Sequence, residues 1–155
     1  MKTLTAAIIA IGLCFAATSA SAQDYFDSRR IGQVESITVT TVGGVSGDCL
    51  YDPTTLKTEV ELVLHRSGIK VIPDSTQYLE INVLGNAVIG GCVANVELRG
   101  YSFRVLLDGF KALVLGTRQH TLLQGPKDGF PQQLREKVNR MASKLANEML
   151  KARRQ

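Results

Sequence analysis

The pattern of apolar and polar positions predicts strands in five segments of the chain. The segment 33–42 alternates β-branched apolar residues with threonines, and 79–83 alternates leucine, isoleucine and valine with polar residues. A period of two recurs over 94–105 with a change of phase after Gly100, 110–115 and 117–123 are predicted to continue as one strand, and 69–72 is a short apolar run that ends before a proline. Because the side chains of a strand point alternately to opposite faces of a sheet, these patterns indicate strands with one buried face.

Two other segments have the spacing of amphipathic helices. Asp52 and Pro53 provide an N-cap and a first helical residue, and Gly68 provides a C-cap, so the first helix is predicted between them. The second helix is predicted to begin at Pro131. Each helix has one apolar stripe, formed by Leu56, Val60, Val63 and Leu64 in the first and by Leu134, Val138, Met141, Leu145 and Met149 in the second.

Glycines mark the predicted turns and irregularities. The run 43–47 predicts a loop after the first strand, and Asp108 with Gly109 predicts a two-residue hairpin turn. At Gly100 the apolar positions change phase, which is typical of a β-bulge or a bend.

The predicted order β-α-β-β-β-β-α defines an α+β fold. We expect the first two strands to be parallel and joined by a right-handed crossover. The whole is predicted to form one mixed, mostly antiparallel sheet, with two helices packed on one face and one disulfide. This order of elements loosely resembles small domains of bacterial envelope assembly factors, a likeness of fold that no residue motif accompanies.

The N-terminal segment has the pattern of a cleavable signal peptide. Lys2 precedes an uncharged apolar run over 4–17, and the small residues Ala20 and Ala22 stand where a signal peptidase cleaves. The run is shorter than the about 20 residues of a membrane-spanning helix. We therefore expect a protein that is periplasmic or secreted and does not span a membrane.

The predicted domain organisation follows from this cleavage. Residues 1–22 are the leader, and residues 23–155 form a single α+β domain in which 23–32 is a flexible lead-in. That length suits one domain.

The cysteines point to a structural bond. Removal of the leader also removes Cys14 and leaves Cys49 and Cys92. Two cysteines in an oxidising compartment are expected to pair. Cys-x-x-Cys spacing is absent and the chain has only 2 histidines, so a metal site is not indicated. We therefore predict a disulfide between Cys49 and Cys92.

The charge balance draws attention to the last helix. The chain has 18 Lys and Arg against 14 Asp and Glu, a net charge of +4, which does not by itself indicate nucleic acid. Export argues further against a nucleic-acid partner. The polar side of the last helix is a candidate dock for an anionic partner, and the alternative is an ordinary solvated face. Its basic residues are Arg135, Lys137, Arg140, Lys144, Lys151, Arg153 and Arg154.

No catalytic or cofactor motif accompanies these features. The glycine-rich loop 43–47 lies where phosphate loops lie, but it contains no Lys or Arg to hold an anion. Ser46 has glycines near it, but not in Gly-x-Ser-x-Gly spacing, and His65 and His120 are isolated in sequence. We therefore predict no catalytic residue, no metal and no cofactor.

The sequence thus predicts an exported, non-catalytic envelope protein that acts by binding. Its partner would be an envelope protein or an anionic envelope component, contacted through a sheet edge or through the basic last helix.

Two alternative functions remain open. One is a carrier for a small apolar ligand held between the sheet and the helices, in space left by Gly85, Gly90, Gly91 and Gly100. The other is an enzyme without a recognisable motif, which would need a pocket that gathers Ser46, Asp48, His65 or His120.

Overall fold

A computed structural model of the chain describes residues 34–49, 51–105 and 111–154, with the backbone alone at 104–105 and 111–114. Three of the predictions lie outside these residues, namely the leader over 1–22, the lead-in over 23–32 and the hairpin turn at Asp108 and Gly109.

Five strands and two α-helices follow one another in the predicted order. The strands are β1 (Ser36–Ser46), β2 (Lys70–Val71), β3 (Gln77–Val88), β4 (Gly91–Val105) and β5 (Lys111–Gly125), and the helices are α1 (Pro53–Arg66) and α2 (Phe130–Ala152). A short 3-10 turn, Lys127–Gly129, leads into α2. The α+β class and the numbers of strands and helices are confirmed.

The strands form one mixed sheet in the order β2-β1-β3-β4-β5. β1 pairs in parallel with β2, as predicted, and also in parallel with β3 on its other side. The pairs β3–β4 and β4–β5 are antiparallel. β1 therefore lies inside the sheet, and β5 forms one edge along its whole length.

Local sequence explains the limits of α1. The Thr54 backbone N–H donates to Asp52 Oδ1 at 2.9 Å, which satisfies one of the amides that a helix start leaves unpaired. Pro53 is the first helical residue, and Gly68 follows the last turn with a φ of +74°. The predicted N-cap, first residue and glycine termination are all confirmed.

β1 is longer than predicted. Instead of ending at Val42, it continues through the glycines to Ser46, because Gly43 and Gly44 keep their register with Val83 and Leu84 of β3. A Cβ on Gly43 would lie 2.3 Å from the Val83 carbonyl oxygen, so the glycine permits this close pairing. The prediction of a loop over 43–46 was wrong.

The predicted irregularity at Gly100 is confirmed as a β-bulge. Gly100 pairs with Thr117, but Tyr101 pairs with Leu115, so Gly116 of β5 is the extra residue. Because the extra residue is in β5, the alternation of β4 is not disturbed, and Tyr101 lies on the same face of the sheet as Arg99. Leu115 becomes the cross-strand neighbour of Tyr101.

The core lies between the two helices and one face of the sheet. The apolar stripe predicted for α2 is buried throughout, and Phe130 at the start of that helix is among the largest fully buried side chains. Leu56, Val60 and Leu64 of α1 pack into the same cluster with Leu79, Ile81 and Val83 of β3. Both helices therefore cover the same face, as predicted.

Candidate functional site

The sheet has a second face, which we name the open face because no described helix or strand lies over it. Side chains along a strand alternate between the faces, so the register places each residue. Ile81 and Val83 of β3 are buried beneath the helices, whereas Leu84, the next residue of that strand, is 55% exposed. The open face is thus the only surface of the described sheet that is both broad and uncovered.

The register aligns polar residues of the open face in two neighbouring rows. One row contains Thr40, Glu80, Arg99 and Arg118, and the next contains Val42, Asn82, Glu97 and His120. Side chains directly opposite each other on neighbouring strands are close enough for opposite charges to attract. The middle of the face is therefore polar, and its charges can pair within the sheet.

Four residues of these rows form an ionic belt: Glu80, Glu97, Arg99 and Arg118. The Glu97 side chain is only 5% exposed. Arg99 Nε donates to Glu97 Oε2 at 2.7 Å, Arg118 Nη2 donates to Glu97 Oε1, and Arg99 Nη1 lies 3.5 Å from Glu80 Oε1. Two carboxylates and two guanidinium groups balance, so the belt has no net charge.

The belt keeps Glu97 ionised. The hydrogen bond from Arg118 lowers the pKa of Glu97, and hydrogen bonds from Arg99 and Asn95 lower it further, which together outweigh the opposing effect of burial. A carboxylate with a lowered pKa is a poor proton donor near neutral pH. The belt therefore acts as a structural ion network, and we assign it no acid–base role.

Aromatic and aliphatic side chains lie on one side of the belt. Tyr78 and Tyr101 are cross-strand partners, and Tyr101 pairs in turn with Leu115 of β5. The rings of Tyr78 and Phe103 meet edge to face, with centroids 5.5 Å apart and an interplanar angle of 85°. Phe103 and Leu115 are exposed. We name these four residues the aromatic end of the open face.

Leu84 and Leu122 lie on the other side of the belt, and Val42 lies on β1 at the end of the row that contains Glu97. Val42, Leu84 and Leu122 are all exposed, and Leu122 is 71% exposed. Leu84 and Leu122 lie in one row of the sheet, on either side of Asn95. We name the three the aliphatic end of the open face.

Asn82 lies between the belt and the aliphatic end. Its residue is 9% exposed, and its Oδ1 is buried without a hydrogen-bond partner among the described residues. Buried amide oxygens nearly always accept a hydrogen bond, so Asn82 Oδ1 is unusual in lacking a donor.

The predicted disulfide is present. Cys49 and Cys92 are bonded, with their Cα atoms 5.8 Å apart, and both are fully buried. Cys49 lies in the segment after β1, but Cys92 is the second residue of β4 and not part of a loop. The bond therefore ties the end of β1 to the start of β4, a strand with which β1 does not pair.

The structure divides the predicted basic residues of α2 between two flanks. Arg135 lies 3.5 Å from Glu59 of α1, and Arg153 donates to the backbone carbonyl of Val34, so both exposed side chains already contact other parts of the chain. The opposite flank carries Lys137, Arg140, Lys144 and Lys151, whose successive spacings of three, four and seven residues keep them on one side of the helix. Arg153 and Arg154 both lie beyond Ala152, the last helical residue. The seven do not form one surface.

The residues considered for catalysis are not brought together. Ser46 Oγ donates to Asn86 Oδ1 at 2.6 Å, and Asp48 pairs with Lys127 at 2.8 Å. His65 lies at the far end of α1 from Ser46, about 18 Å along the helix. His120 is exposed on β5. Within the described part of the chain, His, Cys, Asp and Glu nowhere form a group of three that could hold a metal ion.

Three of the four glycines proposed to leave space for a ligand, Gly85, Gly91 and Gly100, are closely approached by other atoms, and only at Gly90 does no atom lie within 4 Å of the Cβ position. A Cβ on Gly85 would lie 2.4 Å from the Val93 carbonyl oxygen, and one on Gly91 would lie 2.4 Å from the Gly125 carbonyl oxygen. These glycines permit close approach of neighbouring chains. A cleft of about 450 Å³ lies instead at the helix starts, lined by Tyr51, Asp52, Thr55, Leu56, Pro131 and Arg135.

None of the helices in the described segments is long and apolar enough to cross a membrane.

The open face was missed from sequence. Its aliphatic residues stand out of phase with the buried ones, since Leu84 directly follows Val83 and Leu122 directly precedes Leu123. Apolar residues on both phases of one strand are the pattern that would have indicated it. Pairing between Glu97 and Arg118 has no comparable local pattern, because 21 residues separate them.

Comparisons with known proteins leave the family open. No protein-family model matches the chain, and no curated protein matches its sequence. Among solved structures, one titled an uncharacterized protein has a TM-score of 0.46 at 12% identity, over 74% of this chain and 92% of that one. A PelC dodecamer from Paraburkholderia phytofirmans has a TM-score of 0.47 at 12% identity, over 72% of this chain and 88% of that one. Likeness at this level carries no functional conclusion.

Proposed function

We propose that this protein is an exported, non-catalytic binding protein that recognises another envelope protein through the open face of its sheet. The observation that carries the proposal is the arrangement of that face, in which exposed apolar side chains lie on both sides of an ion network that is already neutral. Exposed apolar groups on a rigid sheet favour an interaction surface.

The chemistry of the open face favours a protein as the partner. Its side chains include tyrosines, a phenylalanine, leucines and arginines, the residue types that dominate binding energy at protein interfaces. The belt has no net charge to attract a polyanion. A protein surface can cover the apolar ends and also hydrogen-bond the polar groups of the belt between them, which a purely apolar ligand cannot.

Export is the second part of the proposal. It is supported by the disulfide, which is typical of oxidising compartments, together with the signal-peptide pattern of the first 22 residues. The partner would then be met in the periplasm or outside the cell.

The test uses a matched pair of substitutions. Leu84 on the open face is 55% exposed and Leu62 on α1 is 46% exposed, so a glutamate at either position disturbs the fold to a similar, small degree. The tagged protein is cross-linked in the cells that make it, captured and analysed by mass spectrometry. A partner held by the open face should be recovered with wild type and with Leu62→Glu, and reduced about tenfold or more with Leu84→Glu.

Two further outcomes decide the proposal. Leu122→Glu, at the other side of the same row, should reduce capture as Leu84→Glu does. If both open-face variants recover the partner as efficiently as Leu62→Glu, the open face is not the binding surface. Circular dichroism of all three variants checks that the fold is unchanged.

A further inference from the structure

We propose that the outer edge of β5 accepts an extended, acidic segment of a partner protein as a sixth strand of the sheet. This inference goes beyond the open-face proposal, because it concerns a different surface and rests on the backbone of β5 and on the cations beside it.

β5 provides a long edge for such pairing. It has 15 residues, stands last in the sheet, and pairs with β4 alone in the described structure. Beyond the bulge at Gly116, the nine residues from Thr117 to Gly125 keep an unbroken register with β4. In this stretch the N–H and C=O groups of every second residue form hydrogen bonds with β4. Those of the residues between them point outward from the sheet, where a further strand would pair.

The charge beside the edge is mainly positive, although Arg118 pairs with Glu97 and Lys144 lies 3.9 Å from Glu148. β5 contains Lys111 and Arg118 and no acidic residue. The flank of α2 that carries Lys137, Lys144 and Lys151 is the one turned away from α1, since Arg135 and Asn139 on the other flank contact Glu59 of α1.

That basic flank of α2 lies on the side of the molecule at which β5 ends the sheet. α2 packs on β4 and β5 whereas α1 packs on β1, so turning away from α1 means turning towards β5. Gln133 shows the proximity directly, because a Cβ on Gly125 of β5 would lie 2.3 Å from Gln133 Oε1. Gln133 stands four residues before Lys137, on the same helical flank.

Two cations of this flank have no described ion-pair partner, namely Lys137 and Lys151. Lys144 lies 3.9 Å from Glu148, a distance at which an exposed pair contributes little. From Lys137 to Lys144 the helix rises about 10 Å. An extended segment of about three or four residues spans that length, with every second side chain towards the helix. An acidic residue at those alternate positions would face the basic flank.

Charge also argues against two other occupants. A second copy of this chain paired through β5 would bring Arg118 and the basic flank of α2 close to their own counterparts, which is a like-charge arrangement. A polyanion would find the cations but could not use the outward backbone groups in a regular strand pairing. An acidic peptide uses both features.

The experiment measures binding of a labelled peptide to the protein lacking residues 1–22. The probe has about nine residues that alternate valine or threonine with glutamate, and a matched peptide carries lysine in place of each glutamate. We expect the glutamate peptide to bind about 10–100-fold more tightly than the lysine peptide, by fluorescence anisotropy. Raising the salt from about 50 to about 300 mM should weaken its binding.

Backbone pairing is tested separately from charge. The same glutamate peptide with alternate N-methylated amides keeps every charge but cannot pair as a strand. It should lose most of the affinity, and the parent peptide should protect alternate amides between Thr117 and Gly125 from hydrogen exchange. The proposal would be overturned if the methylated peptide bound as tightly as its parent. It would also be overturned if soluble polyphosphate bound equally well and the β5 amides gained no protection, because the site would then be a polyanion site.

Variants complete the test. Lys137→Gln combined with Lys144→Gln should weaken the glutamate peptide about 3–20-fold, while Lys57→Gln, which removes an exposed cation from α1, should not weaken it. Sedimentation that shows dimers dependent on Arg118 would place a second copy on the edge and contradict the proposal. Leu84→Glu, which tests the open face, should leave peptide binding unchanged, so the two proposals can fail independently.

Discussion

Glu97 is the described residue at which burial and charge oppose each other most directly. It is an acidic residue on a strand, almost removed from solvent, and it remains ionised because Arg99 and Arg118 donate to both of its oxygens. Ion pairs of this kind add little relative to an apolar core, but they become costly when one partner is removed. The belt should therefore be more sensitive to substitution than any surface ion pair of the protein.

We expect Glu97→Gln to lower the free energy of unfolding by about 1–3 kcal/mol, because two guanidinium groups lose their anionic acceptor. Urea denaturation measures it. The control is Glu136→Gln, which removes an acid from an exposed pair with Arg140 on α2 and should change stability by less than about 0.5 kcal/mol. Equal effects of the two substitutions would contradict the structural role of the belt.

The pH dependence of the same variant follows from the lowered pKa of Glu97. Because the folded state lowers this pKa below its ordinary value of 4.5, the unfolded chain takes up the proton first as pH falls. The stabilisation is fully present above pH 4.5 and is lost as pH falls through the folded-state pKa. The stability difference between wild type and Glu97→Gln should thus be constant from about pH 6 to 8 and shrink below about pH 4.5.

At the scale of elements, the strands are set by close backbone approach at particular glycines. At Gly85 of β3 a Cβ would lie 2.4 Å from the Val93 carbonyl oxygen and 2.7 Å from Ala94 Cβ on β4. At Gly44 of β1 no atom lies within 4 Å of the Cβ position, and its φ is not positive. The two glycines therefore look alike in sequence but have different roles in the sheet.

We expect Gly85→Ala to destabilise the protein by about 1–3 kcal/mol, since the added methyl group forces β3 and β4 apart. Gly44→Ala should be neutral or stabilise the protein by up to about 1 kcal/mol, because alanine restricts the unfolded chain without strain in the folded one. Thermal and urea denaturation of both variants measure this. If Gly44→Ala is the more damaging of the two, the register of β1 on β3 is incorrect.

At the scale of the whole molecule, two layers leave one side of the sheet without a cover. Both helices pack on one face, and the disulfide adds a covalent tie between the end of β1 and β4. The molecule is therefore asymmetric, with a buried apolar core on one side of the sheet and an exposed surface of mixed chemistry on the other. This asymmetry gives the open face and the edge of β5 different neighbours and allows separate partners or separate parts of one partner.

Removal of the disulfide tests how far the whole fold depends on this tie. The bond closes a loop of 43 residues, for which the chain-entropy model gives about 4 kcal/mol. We expect the double variant Cys49→Ser and Cys92→Ser to lose most of that amount in urea denaturation, and a reductant to lower wild type equally. The purified protein lacking residues 1–22 should contain no titratable thiol. Two free thiols in protein from an oxidising compartment would contradict the disulfide.

Much of the fold could be predicted because its causes are local. The period of two in β1 and β3, the cap formed by Asp52 and the stripe that runs from Leu134 to Met149 each express a preference of a few neighbouring residues. The same locality explains the error in β1, where glycines were taken for a loop. Gly43 extends a strand only because Val83 of β3 lies beside it, and no neighbour in sequence carries that information.

By itself the sequence determined the class of fold, the order of its elements, the disulfide and the buried stripe of each helix, because these depend on periodicity, caps and a pair of cysteines. The tertiary structure alone decided which side of the sheet is left uncovered and which charges meet there. Glu97 and Arg118 become neighbours through the register of β4 on β5, and α2 comes to lie on β4 and β5 through the packing of the core. Both are contacts between distant parts of the chain, set by the whole packing and not by any local pattern.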